Sequence, residues 1–206
     1  EVCPALGAET TRKLAAWQGK VASDIKRAEA RAIFVELFDG LLGDKLRQHF
    51  MAEFVPLFME MICETEAGDS HRWHCDAGPQ EHLKLLVYLN DTDGRTAVVD
   101  RTITFLFHRV GYGFLNKAER VDDLEPIAAR YGIPCRPVYL TPEPGKAVVF
   151  EPTRVLHKGV VGKTRPRKIL VVMLVPWPQR WDDAFDAMWP FIALNIGAGF
   201  PNMNVA

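Results

Sequence analysis

Apolar positions recur at steps of three and four from residue 10 to about residue 50. Leu14, Trp17, Val21, Ile25 and Ala28 open the series with charged residues between them, which is the period of an amphipathic helix. Ala32, Val35, Leu37, Phe38, Leu41, Leu42, Leu46 and Phe50 continue it, interrupted by Asp39-Gly40 and Gly43-Asp44. The pattern therefore predicts two or three helices broken near those glycines. Beyond Pro56 the period changes. Short runs rich in β-branched and aromatic residues occupy 57–64, 83–89, 96–99, 102–107, 138–140, 147–150 and 169–175. Turn residues separate them, among them Ala67-Gly68-Asp69, Asp91-Thr92-Asp93-Gly94, Pro142-Glu143-Pro144-Gly145 and Gly162-Lys163-Thr164. Many short strands between such turns predict an all-β sandwich or barrel rather than βαβ units. Two segments depart from this. Residues 117–130 read as a helical insertion whose regularity Pro126 limits, and 180–206, with Trp181, Phe185, Met188, Trp189 and Phe191, read as a tail whose short helix packs back on the sheet.

No internal repeat or linker divides the chain, so its 206 residues are expected to form one domain. A helical support covers 1–55, a β core 56–178 with an insertion near 101–139, and a tail 179–206. A hydrophobic fraction of 48% is that of an ordinary globular chain and excludes wholesale disorder. A formal net charge of −1 argues against a polyanion binder, and no nucleic-acid motif is present. No apolar run approaches the ~20 residues that span a bilayer. The expectation is a cytoplasmic protein with neither nucleic acid nor membrane as partner. The opening Glu1-Val2-Cys3-Pro4 has neither an initiator Met nor a signal pattern, as expected of a trimmed N-terminus. Cys3, Cys63, Cys75 and Cys135 are scattered without a C-x-x-C pair, which favours reduced thiols over a zinc site and leaves one disulfide open.

Chemistry enters at Trp73-His74-Cys75-Asp76. In an extended segment alternate side chains share a side, so His74 and Asp76 can face one cavity while Cys75 faces away. They supply two ligands of a 2-His-1-carboxylate triad, the set that suits non-haem Fe(II) with open positions. His157, just beyond the apolar run at 147–150, is the candidate third ligand. Alone, H-x-D is a weak signal, because core histidines are common. Arg167 stands ten residues further on, directly before the strongly apolar 168–175. A strand apolar on both faces lies deep in a sheet, and an Arg leading into it either pairs with an anion or turns to solvent. A guanidinium also grips a carboxylate bidentately.

His74, Asp76, His157 and Arg167, in this order and spacing, resemble the Fe(II)/2-oxoglutarate-dependent oxygenases. The run Leu85-Leu86-Val87-Tyr88-Leu89-Asn90-Asp91, followed by Gly94 and Thr96, is similar to the strand and turn after H-x-D in prolyl 4-hydroxylase-like members. The stretch from Pro144-Gly145 to His157-Lys158-Gly159 is similar to that group and to the phytanoyl-CoA hydroxylase group. The resemblance covers about residues 58–176. It implies a mainly β fold with N-terminal helices, a double-stranded β-helix or jelly roll. It also implies Fe(II) held by His74, Asp76 and His157, with 2-oxoglutarate and O2 as cosubstrates. Arg167 would pair with the distal carboxylate of 2-oxoglutarate, and Tyr88 is a second candidate for that end. Hydroxylation of a small molecule or peptidyl residue is the usual outcome. Gly94-Arg95 replaces the Gly-Gly pair often found in prolyl-hydroxylase-like chains, and a long insertion separates Asp76 from His157; both weaken the peptidyl-proline subgroup.

Other readings stay open. The insertion, with Phe105, Phe107, His108, Tyr112 and Phe114, forms a lid or substrate wall, or packs at the sheet edge. His71, His74 and Cys75 invite a zinc site, but neighbours in an extended segment cannot easily converge on one tetrahedral ion. His82 and His108 suit packing or surface roles, and His49 is a helix residue. Of the basic run Lys158, Lys163, Arg165, Arg167 and Lys168, Arg167 alone is expected to turn inward. A jelly-roll binding protein without oxygenase activity would leave Arg167 facing solvent. A non-redox enzyme of cupin type would place a further His beside the metal.

Overall fold

The computed structural model describes residues 1–16, 26–113 and 116–195. Of the opening helical series, Trp17, Val21 and Ile25 lie outside the described residues, as do Phe114 and the end of the tail. The helical period produces α1 (Ala8–Ala15), α2 (Arg27–Phe38) and α3 (Leu41–Phe50). Helix α2 buries Ala30, Ile33, Phe34, Leu37 and Phe38, the i, i+3, i+4, i+7 stripe of one face. The break between α2 and α3 falls at Asp39-Gly40 as expected, whereas Gly43 is absorbed inside α3.

Strands β1 (Val2–Pro4), β2 (Glu53–Glu64), β3 (Leu83–Tyr88), β4 (Arg95–Val98), β5 (Val138–Leu140), β6 (Lys146–Phe150), β7 (His157–Val160) and β8 (Arg167–Trp177) form two antiparallel sheets. The larger has the order β1-β6-β3-β8-β2, the smaller β5-β4-β7. Pro56 does not mark the start of β2 but sits inside it, because β2 is an edge strand where a missing N–H is tolerated; the register shifts there, between Pro56 and Phe58. Strand β8, between β3 and β2, is apolar on both faces. Leu170, Val172 and Leu174 pack outward with Phe34, Phe38 and Phe54, under α2, α3 and α6 (Trp181–Asn195). Ile169, Val171 and Met173 pack inward with Phe58, Leu86 and Phe150. That inner face, opposite the helices, holds the cavity described below. The tail thus does form a helix packed on the sheet, and α6 meets β2 most.

Three expectations need correction. Residues 102–107 form no strand but part of α4 (Arg101–Arg109). Asp100 caps it by accepting from the Thr102 N–H at 2.7 Å, and a local cap outweighs the β propensity of a short apolar run whose period fits both states. Residues 117–130 form a 3₁₀ turn (Lys117–Glu119) and a separate helix α5 (Glu125–Tyr131). Pro126 lies in the first turn of α5, where its missing N–H costs nothing, and Gly132 ends it at φ 66°. Finally, helices claim at least as much of the described chain as strands, and the sheets do not close into a barrel. The fold is mixed helix and antiparallel sheet rather than mainly β. All four cysteines are free. No helix among the described residues is long and apolar enough to cross a membrane.

Candidate metal centre and anion seat

His74 and His157 form an antiparallel bridge between the H-x-D segment and the start of β7. The His74 N–H donates to the His157 carbonyl at 3.1 Å and the His157 N–H to the His74 carbonyl at 2.9 Å. This sets the imidazoles side by side, ring centroids 4.5 Å apart. The expected alternation holds. His74 and Asp76 face the cavity, while Trp73 and Cys75 enter a separate core with Phe107 and Tyr112. The insertion buttresses this segment. The Tyr112 hydroxyl donates to the Trp73 carbonyl at 2.9 Å, and the Trp73 and Cys75 N–H groups donate to the carbonyls of Val121 and Gly113. Part of it is also cavity wall, through Lys117 and Arg120.

One ligand atom from each of His74, Asp76 and His157 lies within 4.8 Å of the others. Asp76 Oδ1 stands 3.2 Å from His74 Nε2 and 3.6 Å from His157 Nε2. Both Nδ1 atoms are committed, to the carbonyls of Arg72 (2.7 Å) and Val155 (2.9 Å). A carbonyl can only accept, so each Nδ1 carries a proton, and in the neutral ring the lone pair is on Nε2, which faces the cavity. Burial holds His157 down at about 4 despite the nearby Asp76, which keeps it neutral at neutral pH. Its Nε2 is buried with no hydrogen-bond partner. For Asp76, burial favours the neutral acid, but the Lys84 ammonium leads the interactions that outweigh it and hold the carboxyl well below the usual range. Lys84, on β3, bonds Oδ2 and leaves Oδ1 directed at the histidines. Two imidazoles, one carboxylate and one orphaned nitrogen fit a divalent metal of the borderline class. Among the described residues this is the one cluster that could hold an ion, and no third His belongs to it.

The zinc alternative does not assemble. His71 turns Nε2 toward Glu64, 3.4 Å away, and Cys75 turns toward His108 with its thiol pushed up to about 12 by burial. His82 is fully buried and bonds the Pro79 carbonyl, a packing role.

Arg167 opens β8 and is 3% exposed. It turns inward, whereas Lys163 and Arg165 stay exposed. The loop before it is pinned by the Asp93 carboxylate, which accepts from the N–H groups of Lys163, Thr164 and Arg165 at 2.7–3.2 Å. The anion it meets is one the sequence did not advertise. Glu64 lies directly opposite on β2 and takes Nε at 2.6 Å and Nη2 at 2.8 Å. Nη1 donates to the Arg95 carbonyl (2.7 Å), Thr96 Oγ1 (2.9 Å) and the Tyr88 hydroxyl (3.2 Å). Tyr88 and Thr96 bond each other at 2.8 Å. Tyr88 is therefore at Arg167 as expected, joined by Thr96 and Glu64, which sequence reasoning missed. Gly159, two residues beyond His157 on β7, is where the guanidinium passes closest: a Cβ there would lie 2.7 Å from Nη2. The His74, Asp76 and His157 side chains and the guanidinium thus line one cavity of about 280 Å³, whose floor includes Phe58, Leu86 and Val171.

No protein-family model matches this chain, and neither does any curated protein. Solved structures do share its fold. The non-heme alpha-ketoglutarate-dependent epimerase SnoN from nogalamycin biosynthesis is 15% identical, with a TM-score of 0.52 over 85% of this chain and 77% of that one. HygX from Streptomyces hygroscopicus, with nickel and 2-oxoglutarate bound, is 17% identical, with a TM-score of 0.52 over 85% and 81%. EctD from S. alaskensis in its apoform is 16% identical, with a TM-score of 0.54 over 85% and 72%.

Proposed function

We propose that this chain is an Fe(II)- and 2-oxoglutarate-dependent oxygenase, its two sheets the halves of a double-stranded β-helix. The observation that carries the reading is the convergence of His74, Asp76 and His157, with both imidazole Nε2 atoms turned to one point beside the carboxylate. The fold shared with SnoN and HygX supports it, since HygX holds 2-oxoglutarate together with nickel. Arg167 also turns inward beside the same cavity, where the reading needs a cation. Two histidines and a carboxylate fit iron better than the His-richer set of a cupin-type enzyme.

The protein's own residues do the following. His74, Asp76 and His157 would hold the metal on one face and leave the cavity side open. Arg72 and Val155 fix the ring orientations through their carbonyls, and Lys84 fixes the carboxylate. Arg167 and one hydroxyl of the Tyr88–Thr96 pair would present donors to the far carboxylate of the oxo acid. Phe58, Leu86 and Val171 keep the cavity wall apolar and so limit water. Bound Fe(II) with 2-oxoglutarate and O2 supplies oxidising power that side chains lack, the oxo acid leaving as succinate and CO2 while one oxygen atom enters the substrate. Hydroxylation of a small molecule or peptidyl residue is the outcome we propose.

Ligands that bind only the folded state raise its stability. Fe(II) and 2-oxoglutarate together, each at about a hundredfold over Kd, are expected to add about 2.7 kcal/mol or more. For a chain of this size that is roughly 5–10 °C in Tm. An unchanged anaerobic melting curve with both ligands in excess would remove the reading.

A further inference from the structure

Every donor edge of Arg167 that could grip a carboxylate bidentately is already in use. Glu64 fills the Nε/Nη2 edge, and three acceptors crowd Nη1. Only the second Nη2 hydrogen has no acceptor among these. Glu64 is itself buried, at 9% exposure, so the seat holds one buried cation already matched by one buried anion. A second carboxylate on the same guanidinium would leave two buried anions sharing one cation, an arrangement that buried charges do not tolerate. Nor can Glu64 give way by taking up a proton at neutral pH. Burial favours its neutral form, yet His71 and Arg167 outweigh that and hold it at about 2.

Glu64 has a second partner in place. His71 closes the 3₁₀ turn Asp69–His71, and its Nδ1 accepts from the Gly68 N–H at 2.7 Å. Its proton is therefore on Nε2, which points at Glu64 Oε2 from 3.4 Å, just outside good hydrogen-bond geometry. A small rotation of Glu64 away from Arg167 would close that gap.

We propose that Glu64 is an internal ligand of the anion seat, and that the distal carboxylate of a 2-oxo dicarboxylic acid enters by displacing it from Arg167 onto His71. This rests on the function proposed above. Glu64 then sets the affinity for the cosubstrate: the incoming carboxylate gains two charge-assisted bonds only by breaking two. The exchange also favours dicarboxylates. An oxo acid lacking the far carboxylate leaves Glu64 in place and gains nothing from the seat.

The test is calorimetric titration of 2-oxoglutarate, and separately of 2-oxopentanoate, into the Mn(II)-loaded full chain and its Glu64→Gln variant. The amide keeps the shape but surrenders the charge. Affinity of Glu64→Gln for 2-oxoglutarate is expected to rise roughly tenfold to hundredfold, the range of one charged hydrogen bond, with 2-oxopentanoate nearly unchanged. A general relief of negative charge would instead tighten both acids alike and would overturn the proposal. His71→Phe is expected to weaken 2-oxoglutarate binding severalfold in the wild-type background and to have no effect when Glu64→Gln is present. Should Glu64→Gln fail to fold, Glu64→Asp, too short to span both nitrogens, carries the same expectation. Equal or weaker 2-oxoglutarate binding in a folded Glu64 variant overturns the displacement while leaving the oxygenase reading intact. If wild type and variant both bind Mn(II) and neither binds 2-oxoglutarate, the oxygenase reading fails and the displacement falls with it.

Discussion

His74→Ala is expected to lose Fe(II) affinity by on the order of 10²-fold or more, and succinate formation from 2-oxoglutarate with it. Outer partners of a metal ligand are alone worth 10–100-fold, and His74 supplies one of only three ligand atoms. The loss should be specific. His74 is 4% exposed, but it sits at the cavity wall, and its backbone bridge to His157 does not depend on the imidazole. Near-native circular dichroism with no bound iron is the expected pair of results. Wild-type turnover in His74→Ala, with iron retained, would show that the metal lies elsewhere.

Arg167→Met is expected to cost more stability than His74→Ala. Breaking a buried ion pair by removing one partner costs about 3–5 kcal/mol, because the other charge is left uncompensated; for a chain this long that lowers Tm by on the order of 10 °C. The charge left behind is Glu64, 103 positions away in sequence and adjacent in the sheet. Replacing both partners, as Glu64→Leu with Arg167→Met, is expected to recover most of the loss. The pair also carries a pH signature. Glu64 titrates near 2 in the folded state against 4.5 as its ordinary value. Its contribution is therefore complete above about 4.5 and is lost as pH falls from there toward 2. Urea midpoints between pH 2 and 6 check this: the wild type should lose stability across that window more steeply than the double variant. Parallel curves would mean that the pair contributes nothing.

The chemistry was more legible in the sequence than the architecture around it. His74 and Asp76 could be placed on one side of an extended segment by strand alternation alone, and the apolar run at 169–175 placed Arg167 at the mouth of a buried strand. Both are local inferences. What failed was non-local or ambiguous in period. Residues 102–107 suit a helix and a strand equally by hydrophobicity, and only Asp100 at the cap distinguished them. Strand β7, His157-Lys158-Gly159-Val160, holds a single apolar residue and is recognisable only through its pairing with β4, as β1 is only through its pairing with β6. Glu64 and Lys84 stand within or at the end of apolar runs. Their partners, Arg167 and Asp76, become visible only once β2, β3 and β8 are in register. Thr96 stands on β4 in the other sheet and meets Tyr88 only where the two sheets face each other.

Whether the oxo acid chelates an iron held by these three residues decides the proposed function most directly. Anaerobic titration of 2-oxoglutarate into the Fe(II)-loaded chain, followed by visible absorbance, answers it, because a keto acid bound through both oxygens to Fe(II) produces a charge-transfer band. The band is expected to saturate at one 2-oxoglutarate per chain and to be absent in Asp76→Ala. A chain that binds one Fe(II) yet develops no band at saturating 2-oxoglutarate would contradict the oxygenase reading.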